Sequence, residues 1–187
     1  MTLQDNFNDH SKQYIFSNDE LLSKERFKTF EKINLNKFDK KNNESLKNLS
    51  LSDLNSFNYY FQTSKEKPNV KVLSKNIYEI NIVNGKCKNY NDDNIEIRNI
   101  LSQDYKKHKD KNFINLDDIV TDFNKIFLNS GIFINVKNDS KITLSLIYTA
   151  DKNYTIFQSN YFNFENNCQV IIEEHFNLSE NTINNVQ

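Results

Sequence analysis

Apolar residues change their spacing along this chain, and the change predicts helices first and strands later. Leu21, Leu22 and Phe27 recur at near-helical intervals behind Ser17, Asn18 and Asp19, any of which is able to cap, so residues 1–31 read as mostly helical. The pattern runs on through Glu31 to Leu35 and then meets an irregular polar stretch, Lys37 to Asn48, that reads as a loop or linker. Leu49, Leu51, Leu54 and Phe57 follow with no clear period, and Pro68 biases Lys67 away from helix. From Ile77 to Lys86 an apolar stretch ends in Asn84-Gly85, the signature of a strand, a tight turn and a return strand. Ile95 and Ile97 mark a short strand, and Tyr105 to Lys111 reads as a charged loop.

The sharpest helix signal spans residues 115–129. Asn115 is its cap, Asp117 and Asp118 sit in the first turn, and Leu116, Ile119, Val120, Phe123, Ile126 and Phe127 form one apolar face, with Gly131 close to where a C-terminal glycine belongs. Past Gly131 the period drops to two. Ile132, Ile134 and Val136 alternate, and so do Ile142, Leu144, Leu146 and Tyr148 after an Asn138-Asp139-Ser140 turn. Tyr161 to Phe164 and Val170 to Ile172 continue the series around an Asn166-Asn167 corner. Short strands joined by polar corners fit either a sandwich or a β-solenoid, and periodicity does not choose between them. The expected organisation is a mainly helical region over 1–70 and a β domain over 71–187 that includes helix 115–129. The strands stop near Gln187 without a covering element, so a truncated chain is expected.

Composition narrows the function more than the fold. Two Gly and one Pro in 187 residues leave the corners to Asn, Asp and Ser, which bond to their own backbone and tolerate left-handed conformations. Fifteen Phe and nine Tyr supply too much core-forming material for a disordered chain. A net charge of −1 argues against a dedicated nucleic-acid or anionic-membrane binder. No apolar run reaches membrane-spanning length and the N-terminus lacks signal-peptide character, so a cytoplasmic location is expected.

Candidate chemistry is sparse. Cys87 and Cys168 stand far apart with no C-x-x-C spacing, which fits incidental thiols better than cluster ligands. Cys168 and His175 fall on one expected strand at an odd separation, so they point to opposite faces. Cys168 with Glu174, and Glu173 with His175, share faces, but neither pair reaches a closed ligand set. His10 and His108 read as solvated, the lysine-rich run around His108 as a wet loop, and Asp117 and Asp118 as capping acids. Glu173 and Glu174, being adjacent, face opposite ways. With no P-loop, nucleophile elbow or dinucleotide glycine set, no catalytic residue and no bound metal are expected, and cofactor-binding residues stay unassigned.

Four segments, in order, resemble the SufD family of the SUF iron–sulfur cluster assembly system. Arg26 to Leu35 occupies the place of the family's "E-x-W-[KR]-Y-T-x-L" segment, with Phe30 where Trp is usual and Lys32-Ile33 where Tyr-Thr is usual. Ile80 to Lys86 is similar to its "l-v-f-v-N-G-x" strand and turn. Asp122 to Ile134 resembles its "a-L-N-x-A-x-x-x-D-G-v-f-I" helix-to-strand passage, with Asn124 and Gly131 in register and Ser130 in place of Asp. Gln169 to Phe176 is similar to its "v-v-E-h-y" rung, matching Glu174 and His175. The resemblance implies mixed α and β structure, an N-terminal helical region followed by the first rungs of a right-handed parallel β-helix. It implies a non-catalytic scaffold that pairs with a SufB-type protein through the β-helix, and with a SufC-type ABC ATPase through a C-terminal domain beyond this sequence. The cluster would be handled transiently by the complex and bound by no residue of this segment alone. The competing readings are a stand-alone β-solenoid that binds a ligand or partner, and a SufB-type paralogue.

Overall fold

A computed structural model describes residues 3–35, 67–109, 119–151, 154–178 and 183–186. The expected linker Lys37 to Asn48, the stretch to Gln62, the Asn115 cap and the acids Asp117 and Asp118 lie outside the described residues. The chain is mixed α and β, with most of its described structure in sheet.

Two helices open the chain, α1 (Leu3–His10) and α2 (Glu20–Leu35), joined through a 3-10 turn at Ser11–Gln13. Of the three possible caps for α2, Asp19 takes the role: its Oδ1 accepts the Leu22 N–H at 3.2 Å. Lys106 reaches Asp19 Oδ2 at 2.7 Å, and this contact, more than any other, holds the Asp19 carboxyl below the usual carboxylate range. The buried stripe of α2 is Leu22, Arg26, Phe30 and Ile33. It packs with Phe7 and Tyr14, with Phe123, Ile126 and Phe127 of α4 (Ile119–Phe127), and with Phe157, in an aromatic cluster where the Phe7 and Phe30 rings stack at 4.4 Å.

Ten strands, in three sheets, are found among the described residues. The first sheet runs β1 (Asn69–Ser74), β2 (Ile77–Val83), β6 (Lys141–Ala150), β9 (Gln169–Leu178). The second runs β3 (Tyr90–Asn91), β4 (Ile95–Asn99), β5 (Ile132–Val136), β8 (Tyr161–Phe164). The third pairs β7 (Thr155–Gln158) with β10 (Ile183–Val186). Both four-stranded sheets are mixed, with β1 antiparallel to β2 and β3–β4–β5 antiparallel, while β2–β6–β9, β5–β8 and β7–β10 are parallel. Period-two sequence becomes alternating burial: Tyr78, Ile80 and Ile82, Ile95 and Ile97, Ile132, Ile134 and Val136, and Ile142, Leu144, Leu146 and Tyr148 point into one core between the first two sheets.

One number governs three of the four parallel pairings, the exception being β2–β6, where Ile77 pairs with Thr143. Phe133 pairs with Tyr161, Lys141 with Gln169 and Thr155 with Ile183, so three different sheets share one offset of 28 residues. The corners keep the same step: Asn166 N–H donates to Asn138 Oδ1, Asn167 Nδ2 to Asp139 Oδ1, and Phe157 N–H to Asn129 Oδ1, each across 28 residues. Asp139 and Asn167 both hold positive φ, 62° and 60°, as the polar corners require.

Several expectations are corrected. The Asn84-Gly85 turn forms with positive φ at both residues, but the return strand shrinks to a single Val83–Lys86 bridge. Asn99 stops it: its Oδ1 accepts the Cys87 N–H and its Nδ2 donates to the Cys87 carbonyl, diverting the chain toward β4. The expected charged loop at Tyr105 is part of a helix, α3 (Ser102–Lys109). Asp104 drives it, accepting the Leu101 N–H at 2.9 Å as the acidic half of a capping box and two bonds from Arg98 at 2.5 and 2.9 Å. Helix α4 ends at Phe127 instead of 129, because Asn129 is drawn to the sheet, donating to the Thr155 carbonyl and accepting from Phe157. Gly131 does not sit in a left-handed cap: an added Cβ would lie 2.5 Å from the Ser159 carbonyl oxygen and 2.7 Å from Ile100 Cγ2, so close packing demands it. Cys168 precedes β9 instead of lying in it.

Candidate functional site

One end of the strand stack is built unlike the other. At the β1 end, the edge strand is short, carries a register shift between Val72 and Ser74, contains Lys71 and is flanked by Pro68 and Lys75, all devices that discourage a further strand from adding. At the opposite end β8, β9 and β10 are each the last strand of their sheet. There β9 pairs with β6 over ten consecutive residues without a shift, and it contains neither lysine nor proline.

Strand geometry fixes what this edge offers. Gln169 N–H donates to the Ser140 carbonyl, so the odd-numbered backbone groups of β9 point at β6 and those of Val170, Ile172, Glu174, Phe176 and Leu178 point away from it. Around this row lies exposed apolar surface: Phe164 at 48%, Ile171 at 61% and Phe176 at 50%, with Ile172 and Leu178 also exposed. A regular strand whose outer backbone row has no strand beside it among the described residues, with an apolar fringe, is suited to accept another strand by augmentation.

The side chains of the inward row are pre-set by the layer beneath. Phe176 stacks on Tyr148 with ring centroids 4.7 Å apart and planes at 7°. Tyr148 Oη donates to Glu174 Oε1 at 2.7 Å and accepts from Asn160 Nδ2 at 3.0 Å. Asn160 Oδ1 accepts from Gln158 Nε2, and the Gln158 carbonyl accepts from Asn124 Nδ2. This chain of hydrogen bonds runs from helix α4 through the interior to the edge strand. Burial and the Glu174 carboxylate both push the Tyr148 phenol up, so it remains a neutral donor.

The residues singled out for chemistry are dispersed. Cys87 is buried and its thiol is pushed up to about 12, chiefly by desolvation, so the uncoordinated side chain is a neutral thiol at neutral pH. Cys168 Sγ lies 3.0 Å from the Lys137 carbonyl. Glu174 faces the interior row and Glu173 the opposite face, beside Ser145, while His175 pairs with Ile147 on that same outer face. Burial lowers the His10 imidazole more than Asp9 raises it. The side chain of His108 lies outside the described set. Among the described residues no group of three or more His, Cys, Asp and Glu is placed to hold a metal ion, and no helix is long and apolar enough to cross a membrane. Neither Tyr148 nor Arg26 is marked by the sequence as a site residue. Tyr148 gave only a strand signal, but Arg26 stands in register with Leu22 and Phe30, and a cation in an apolar stripe was visible in the spacing.

No protein-family model matches this chain, and neither the curated proteins nor the solved structures contain a match.

Proposed function

We propose that this chain is a non-catalytic scaffold: successive coils of a parallel β-solenoid that dock a protein partner by strand addition along β9. The observation that carries the reading is the constant 28-residue offset shared by three sheets, together with the unblunted edge on which it ends. A single offset across three sheets is what a coil of fixed length produces when it stacks on the one before. Such a body is rigid, positions backbone donors and acceptors in a row, and needs no catalytic group to act.

The four ordered segments described above point to a SufB-type protein as that partner and to iron–sulfur cluster assembly as the setting. On this reading the chain contributes a surface and no cluster ligand, in keeping with the dispersal of Cys87, Cys168 and His175. The test is co-expression with SufB-type and SufC-type proteins followed by affinity purification. The expected result is a stable complex that a Phe176→Lys substitution disrupts, since a charge would replace an apolar ring at the centre of the edge. A complex that fails to form, with the partners competent to bind each other, would remove the SUF assignment. A complex that forms and is indifferent to Phe176→Lys would remove β9 as the contact.

A further inference from the structure

Helix α2 buries Leu22, Arg26, Phe30 and Ile33, and one of these four carries a charge. Arg26 is only 7% exposed. Its Nη2 donates to the Ile15 carbonyl at 2.8 Å, its Nε to the Lys125 carbonyl at 3.4 Å, and its guanidinium lies 5.1 Å from the centre of the Tyr14 ring. All three partners are neutral, and among the described residues no carboxylate pairs with it. A buried charge is costly unless an opposite charge meets it, and a guanidinium holds more donors than two carbonyls use. The Lys125 carbonyl lies in the last turn of α4, where a cation is favoured, which accounts for one bond and not for the remaining donors.

Arg26 borders a cavity of about 250 Å³. Lys28, Lys125, Thr29 and Tyr105 also line it and Glu25 is the single acid of the lining, while Lys125 Nζ lies 3.7 Å from Asp122 Oδ1 just outside it. Phe16, Leu22 and Leu128 supply an apolar remainder. Arg26 also borders a second space in which Lys12 is the only other cation, so positive charge gathers at the first. Burial keeps the Tyr105 phenol above its ordinary range, and it stays protonated as a neutral donor.

We propose that this cavity binds a small oxyanion, the phosphate or carboxylate head of an organic molecule, with Arg26 as the forked donor and Lys28 and Lys125 as flanking charges. A planar fork matches such a head by two parallel bonds, and the apolar wall accommodates the organic body. The site lies among the helices and is independent of the docking reading for β9.

The full chain is titrated with inorganic phosphate and, separately, with acetate, against sodium chloride at matched ionic strength. Amide resonances of Lys28, Thr29 and Tyr105 report the binding. Saturable millimolar shifts at these residues with either anion support the site, and the tighter anion identifies the head group. In the Lys28→Gln/Lys125→Gln variant affinity falls about tenfold while the ligand-free melting temperature holds, because both lysines sit at the surface. Arg26→Lys keeps the charge but loses the fork, and weakens binding as well. Saturation by neither anion, or equal affinity in the double variant, overturns the proposal. Should Arg26→Lys fail to fold, the double variant carries the decision.

Discussion

Gly85 and Gly131 are the only glycines in the chain, and they are needed for different reasons. Gly85 has φ of +73°, and a Cβ there would lie 2.1 Å from Ser130 Oγ. Gly131 has ordinary backbone, but a Cβ would press on the Ser159 carbonyl. Gly85→Ala therefore combines left-handed strain with a clash and costs at least about 2 kcal/mol, whereas Gly131→Ala pays for overpacking alone, about 1–3 kcal/mol. Urea midpoints of the two variants check both values. A second residue-scale expectation concerns Cys87. Burial raises its folded thiol to about 12 and raises the Tyr78 phenol likewise to about 12. The unfolded chain then loses these protons first as pH rises, so the contribution of these two groups is constant below about pH 9 and declines between about pH 9 and 12. Cys87→Ala lessens that decline, and denaturation series across this window measure it. At neutral pH Cys87 resists thiol reagents until the chain is unfolded.

At the scale of elements, the sequence was readable where one period ran unbroken. Strands β5 and β6 are visible in alternation alone, because burial on one face is all that sets their pattern. Helix α3 was hidden since its residues, Ser102 to Lys109, carry little apolar surface. What forms it is one acid: Asp104 closes the first turn and holds Arg98, whose guanidinium lies 4.1 Å from the centre of the Phe133 ring. A long-range partner of that kind cannot be read from spacing. Asp104→Asn keeps the shape and removes the charge, so it should cost about 1–3 kcal/mol. Amide exchange in Ser102 to Lys109 should quicken before the sheets are affected. Strand β7 was missed for the opposite reason: its four residues are all buried, so no alternation shows. The open edge was half legible, as the apolar run Val170 to Ile172 announced a strand but not that nothing in the described chain lies beyond it.

For the whole molecule, the 28-residue offset is the fact on which the account turns. It ties corner asparagines, inward apolar rows and the stacked Tyr148 and Phe176 rings into one repeating layer, and the step could not be read from composition because the two layers share few identical residues. That layer ends at β9 with one row of backbone groups facing outward. The most direct measurement is residue-resolved amide exchange across β9, with the chain alone and in complex with the SufB-type protein proposed to dock there. In the chain alone, the amides of Ile171, Glu173 and His175 should be protected by β6, and those of Ile172, Glu174 and Phe176 should exchange fast. In the complex, the second set should slow by orders of magnitude while the first changes little. Unaltered fast exchange at Ile172, Glu174 and Phe176 in a fully formed complex would contradict the account.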